Sequence, residues 1–158
     1  MAFSLFSCKS KGQSIESPIY RLTLKTLLSH SVPEINVDMV SLEKISFILD
    51  TREKKEFNIS SIENARFVGY ENFDLTSIED IPKDANVLIY CSVGYRSEKV
   101  AEKMIKNGWA NVSNLYGGIF EWKNQGGTVV DSTGSPTSRV HAFDKTWGRF
   151  LKKGEKVY

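Results

Sequence analysis

The sequence predicts an α/β fold in which a mainly parallel sheet is covered by helices on both faces. Two observations carry this. Apolar runs of strand length alternate along the chain with segments of helical periodicity, and the two strongest runs, Ile45 to Leu49 and Asn86 to Tyr90, are nearly continuous. Unbroken runs rich in β-branched and aromatic residues belong to strands buried on both faces, and alternation of strand and helix belongs to right-handed crossovers between parallel strands. At 158 residues the chain is long enough for one domain with its own core.

In order along the chain, residues 1–16 read as a tether. Ser17-Pro18 then supplies a helix cap followed by proline at the first helical position, and Leu24, Leu27 and Leu28 form an apolar stripe. Ile45 to Leu49 is the first buried strand, closed by Asp50. The charged stretch Thr51 to Glu56 is expected to be a short helix, and Phe67-Val68-Gly69-Tyr70 a second brief strand. Ile81-Pro82-Lys83-Asp84 is a turn leading into the strand Asn86 to Tyr90. From Ser97 to Lys106, Val100, Ala101, Met104 and Ile105 share one helical face, while Glu98, Lys99, Glu102, Lys103 and Lys106 share the other. Gly108 stops that helix. Asn111 to Leu115 is a further strand, turned by Tyr116-Gly117-Gly118 into a short helix bearing Phe120 and Trp122. Residues 128–158 form an aromatic and basic extension packed on the domain, in which Phe143, Trp147 and Phe150 are spaced for one face of a short helix. Its aromatic residues serve either as an extension of the core or as a lid over the site.

Composition narrows the function classes. With 21 basic and 19 acidic residues the net charge is +2, which gives no electrostatic case for nucleic acid as a partner. Cys8 and Cys91 are too few for a disulfide framework and, with His30 and His141, show no metal-ligand spacing, so neither a metal nor a bound cofactor is expected. His30 has no evident partner. Leu5-Phe6-Ser7-Cys8, followed by Lys9 and Lys11, is similar to the end of a bacterial lipoprotein signal, yet its apolar run falls short of the ~7 to 15 residues such a signal needs. Both readings stay open, so localisation is left between the bacterial cytoplasm and a lipid-anchored envelope protein, with membrane contact only through a lipid on Cys8.

The chemistry is expected at Cys91-Ser92-Val93-Gly94-Tyr95-Arg96. A cysteine at a strand's carboxyl end, then a glycine-containing loop, an arginine and a helix start, makes an anion cradle. The glycine lets successive amides curl around the sulfur, and the helix dipole and the Arg96 guanidinium add positive potential. These donors favour thiolate over thiol and would equally hold a persulfide, which is again anionic. The alternative is a plain buried core thiol, the ordinary fate of a lone cysteine after an apolar strand. A sulfur sealed among apolar side chains, with the amides turned elsewhere, would overturn the cradle reading.

Ile48-Leu49-Asp50-Thr51-Arg52 with Glu56-Phe57, Cys91 to Ser97, and Gly108-Trp109-Ala110-Asn111-Val112 with Leu115-Tyr116-Gly117-Gly118 and Trp122 together resemble the rhodanese family over about Val37 to Gly127. The resemblance implies a five-stranded parallel sheet within a single rhodanese domain spanning residues 17–127. It also implies that Cys91 shuttles sulfane sulfur, as a covalent persulfide, from a donor such as thiosulfate to cyanide or a thiol, a protein thiol included. Cys91 and Arg96 would be catalytic, Ser92, Val93, Gly94 and Tyr95 would bind substrate, and Asp50 and Arg52 would give structural support, or merely form a solvated ion pair. Where the family has Gly-His-Ile-Pro-Gly-Ala, this chain reads Ser60-Ser61-Ile62-Glu63-Asn64-Ala65, which bears on local geometry and substrate. Two rivals remain. One is a rhodanese module used for sulfur relay or protein binding without turnover of its own. The other is a cysteine phosphatase or arsenate reductase, whose loop has five residues between Cys and Arg where this one has four, and often histidine where Tyr90 stands.

Overall fold

The structure is a computed structural model and describes residues 15–158. The expected tether and the Cys8 motif lie outside the described residues, apart from Ile15 and Glu16.

Five parallel strands form the central sheet in the order β1-β6-β5-β2-β4, namely β1 (Glu34–Ile35), β2 (Phe47–Asp50), β4 (Ala65–Phe67), β5 (Asn86–Tyr90) and β6 (Asn111–Leu115). β5 sits at the centre, and its side chains divide between the two faces as the period of two requires. Leu88 and Tyr90 enter one apolar cluster, and Val87 and Ile89 enter the other. The first cluster is roofed by α1 (Pro18–Leu27), by α4 (Gly118–Asn124) and by Phe150 and Leu151 of the extension. The second is roofed by α3 (Tyr95–Lys106) through Val100, Ala101 and Met104, with Ile78, Ile81 and Trp109. Each fully buried aliphatic side chain contributes on the order of 1.5–3 kcal/mol, so both faces hold the sheet.

α1 begins as its sequence dictates: Ser17 Oγ accepts from the Tyr20 N–H at 3.3 Å and Pro18 opens the first turn. Ser17→Ala is expected to cost about 1 kcal/mol, read as a lower urea midpoint with an unchanged slope.

Several expectations need correction. The charged helix lies later than expected, as α2 (Lys54–Ile59), because Glu53 and Glu56 form a capping box that starts it at Lys54. The fourth strand ends at Phe67 rather than running to Tyr70. The Asp50 carbonyl takes both the Val68 N–H (2.9 Å) and the Gly69 N–H (3.2 Å), which closes the ladder there. α3 starts two residues earlier than Ser97, at Tyr95. Glu98 is buried on that helix, accepting from the Ser29 N–H (3.0 Å) and the Ser31 N–H (3.4 Å), whereas Ile105 is exposed. Asp50 and Arg52 are not a solvated pair: both are fully buried, at 2.7 Å, with Arg52 also donating to the Ser60 carbonyl and Tyr90 Oη donating to Asp50.

The departure at Ser60 to Ala65 is accommodated locally. Ser61–Ile62 forms β3, and Asn64, in place of the family's glycine, takes φ +62, a left-handed conformation that asparagine tolerates better than most residues. β3 pairs antiparallel with β7 (Val129–Val130), which pairs with β8 (Pro136–Thr137). The extension continues as β9 (Arg139–His141), the single turn α5 (Lys145–Gly148) and β10 (Glu155–Val157), which lies parallel to β9. Phe143, Trp147 and Phe150 therefore do not share one helical face. Phe150 is buried, stacked on Tyr20 with ring centroids 4.6 Å apart, while Phe143 is half exposed.

Candidate active site

Cys91 follows β5 directly, at the carboxyl end of the sheet where open α/β folds bind ligands. The turn after it is fixed from behind through three of its carbonyls. The Ile119 N–H of α4 donates to the Cys91 carbonyl (2.9 Å), and the Phe120 N–H to that of Ser92 (3.2 Å). The Gly94 carbonyl receives Asn114 Nδ2 (2.9 Å), Ser97 Oγ (3.2 Å) and the Glu98 N–H (3.1 Å). Gly118 makes the first two possible: at φ +57, a Cβ there would stand 2.4 Å from the Cys91 carbonyl oxygen and 2.6 Å from Ser92 backbone atoms. With its carbonyls held by neighbouring elements, the loop turns an amide toward the sulfur. The Gly94 N–H, at φ +114 and the cap of α3, lies 3.1 Å from Cys91 Sγ. The first-turn amides of α3 have no carbonyl partner within a helix, and its dipole places about half a positive charge at that end.

Arg96 does not reach the sulfur by a hydrogen bond. Its guanidinium grips Glu56 of α2 in a two-pronged ion pair, Nη1 to Oε2 at 2.7 Å and Nη2 to Oε1 at 2.9 Å, and Nη2 also donates to Ser92 Oγ at 3.0 Å. Ser92 Oγ donates in turn to Glu56 Oε1 at 3.0 Å, so Glu56 clamps both ends of the loop. Burial alone would raise the Glu56 carboxyl, but the Arg96 hydrogen bonds and charge outweigh it and hold it at about 2.

A partly open pocket of about 140 Å³ lies over the sulfur, lined by Cys91, Ser92, Val93, Tyr95 and Arg96 from the loop, Leu27 from α1, and Phe143 and Trp147 from the extension. The walls leave Cys91 only 1 % exposed. The sulfur thus has a peptide N–H on one side and apolar walls on the other, which lies between the two cases the sequence contrasts. Tyr95 stands at the pocket, and the extension supplies both core and cover.

Phe143 is held over Arg96, ring centroid to guanidinium carbon 5.3 Å, in a left-handed conformation with φ +66. Its N–H donates to His141 Nδ1 at 3.1 Å, which requires that nitrogen to be unprotonated. Burial lowers the His141 pKa. Lys55, Arg52 and Arg96 push the same way and Glu56 opposes them, so this histidine stands near the site although its sequence position gives no hint of it. His30 pairs instead with Glu34 at 3.1 Å. Among the described residues no cluster of potential ligands is arranged for a metal.

Glu56, Asn114 and Gly118 are site residues to which the sequence assigns no role there: Glu56 and Gly118 lie in the family-like blocks, and Asn114 gives no signal. Phe143 and Trp147 are the extension's aromatics, expected as core or lid, and they line the pocket.

Residues 33–125 match the family of rhodanese-like domains. A tRNA uridine(34) hydroxylase of Photorhabdus laumondii is 33 % identical over 82 residues, covering 49 % of this chain and 23 % of that protein. A sulfurtransferase of Allochromatium vinosum is 39 % identical over 57 residues, 36 % of this chain and 53 % of that one. The chain therefore spans less than a quarter of the first relative and about half of the second. Among solved structures, the rhodanese-like domain of an Anabaena protein superposes with a TM-score of 0.58 at 22 % identity, over 63 % of this chain and 80 % of that one, which shows the fold alone. A rhodanese-like domain protein of Staphylococcus aureus gives 0.51 at 25 % identity, over 58 % and 91 %.

Proposed function

Because this chain belongs to the rhodanese-like domain family, we propose that it is a sulfurtransferase that carries sulfane sulfur on Cys91 between a small donor and a thiophilic acceptor. The observation that carries the reading is the Gly94 N–H set 3.1 Å from Cys91 Sγ at the floor of a pocket. In the first half-reaction the thiolate attacks the outer sulfur of a donor such as thiosulfate. A new S–S bond forms, the donor's S–S bond breaks, and its electron pair leaves on sulfite. In the second, cyanide or a thiolate takes the outer sulfur and the Cys91 thiolate is regenerated. The amide and the helix dipole face the sulfur in both half-reactions, so the same donors serve thiolate and persulfide.

The burial of the sulfur favours a second reading, in which the domain relays sulfur to a docked protein thiol and turns over poorly on its own. The phosphatase alternative loses its main support in the geometry, since Arg96, which would have to cradle phosphate, is spent on Glu56.

Incubation with thiosulfate or inorganic polysulfide, followed by intact mass and peptide mapping, tests the reading. A gain of one sulfur on the Cys91 peptide with cyanide-dependent thiocyanate release is expected. Loading without release indicates relay; no loading, or hydrolysis of a phosphate ester, overturns the proposal.

A further inference from the structure

We infer that the Cys91 pocket selects organic sulfane donors, which carry at most one charge at the reacting end and an apolar, ring-sized body, over the dianion thiosulfate, with Phe143 and Trp147 setting the preference. This rests on the sulfur-transfer reading above and specifies its substrate class.

Charge comes first. The cation lining the pocket is Arg96, and both of its outer nitrogens are engaged by Glu56, a carboxylate whose own side chain is fully buried. The neighbouring Arg52 is neutralised in the same way by Asp50. Among the described residues, a dianion entering the pocket meets no uncompensated cation. Drawing Arg96 onto it would strip Glu56 of its partner and leave a buried charge unpaired, a costly exchange. The amide and dipole at Gly94 suffice for the single negative charge of a thiolate or persulfide.

Shape comes second. Leu27, Val93, Phe143 and Trp147 present hydrocarbon to the space above the sulfur, and its volume of about 140 Å³ is of ring size, since an apolar cavity of about 150 Å³ is enough to take up benzene. Phe143 is locked at this wall from two sides, by its N–H on His141 and by its ring over Arg96, in a backbone conformation that a non-glycine residue adopts only when its surroundings impose it. The wall is thus built in place before a ligand arrives.

Aryl and alkyl thiosulfonates separate charge and shape while keeping the chemistry constant. The thiolate attacks the outer sulfur, the sulfonyl S–S bond breaks, and a monoanionic sulfinate departs with the electron pair, so one thiolate and one thiosulfonate give one persulfide and one sulfinate. Rates of Cys91 loading with benzenethiosulfonate, methanethiosulfonate and thiosulfate are measured on the full chain and divided by those for a free small thiol. We expect benzenethiosulfonate to exceed each of the others by about tenfold or more after this correction. In Phe143→Ala and Trp147→Ala the benzene-to-methane ratio falls toward that of the free thiol, while loading by methanethiosulfonate persists. Equal corrected rates, a preference for thiosulfate, or an unchanged ratio in both variants overturns the inference. Binding of benzenesulfinate and of sulfite to Cys91→Ser, followed by calorimetry, separates this inference from the transfer reading. Benzenesulfinate binding without any loading of the native chain would sink sulfur transfer yet uphold the pocket's preference, whereas loading without selective benzenesulfinate binding would do the reverse.

Discussion

Cys91→Ser is expected to take no sulfur from any donor and to lose cyanide-dependent turnover by at least ~10³-fold, down to the uncatalysed rate. A serine hydroxyl is not ionised at neutral pH, and oxygen cannot form a persulfide, so the covalent route closes rather than slows. The fold should be nearly untouched. Cys91 is 1 % exposed, and an oxygen in place of sulfur still offers the Gly94 N–H an acceptor, so the urea midpoint should shift by no more than about 1 kcal/mol. Mass spectrometry of the loaded variant, with a denaturation curve beside it, separates the two effects. Sulfur appearing on the serine variant would place the chemistry at another residue.

This outcome bears on a residue that the sequence marks by itself, and the reason it does so is local. Cys91 to Arg96 are contiguous and carry their own glycine, and the strand before them is apolar on both faces; Asn86 to Tyr90 and Asn111 to Leu115 are strands with the bounds the pattern predicts. α2 is displaced by a capping box between Glu53 and Glu56, a local contact that the charged run hides. Segments whose structure is fixed by tertiary partners are harder to read: the end of β4 is set by the Asp50 carbonyl, an acceptor far away in sequence. Glu98 reads as a solvated helix residue because nothing in its own segment shows that Ser29 and Ser31 will bring amides to it. The site divides in the same way. Its cysteine is legible, but the residue that neutralises Arg96 comes from another helix, and the pocket's cover comes from the far end of the chain. The resemblance to a family pointed to sulfur chemistry; only the folded arrangement shows that the arginine of the loop is already occupied.

That occupation leads to the second large effect. Glu56→Gln keeps the length of the side chain and an oxygen to cap the Glu53 N–H, so the capping box survives, while the charge and the acceptor that Oε1 offers to Arg96 and Ser92 are removed. Arg96, with its side chain 13 % exposed, is left holding a buried charge without a counterion. The displacement of the Glu56 carboxyl from 4.5 to about 2 is equivalent to about 3 kcal/mol, and a loss of that order is expected at pH 7 by urea denaturation. Because the folded value lies below the unfolded one, the contribution is fully present above about 4.5 and fades as the pH falls toward 2. The native chain should therefore lose stability over that interval while the glutamine variant changes less, and the gap between them should close in acid. A gap that stays constant with pH would mean that packing, not charge, makes Glu56 important. The same substitution also turns the loop's electrostatics around: with the carboxylate gone, Arg96 is free to face the pocket, and thiosulfate should gain on benzenethiosulfonate as a donor in the molecules that remain folded. Stability lost and dianion use gained in one variant would mean that Glu56 holds the loop together by the same ion pair that keeps its cation from the substrate.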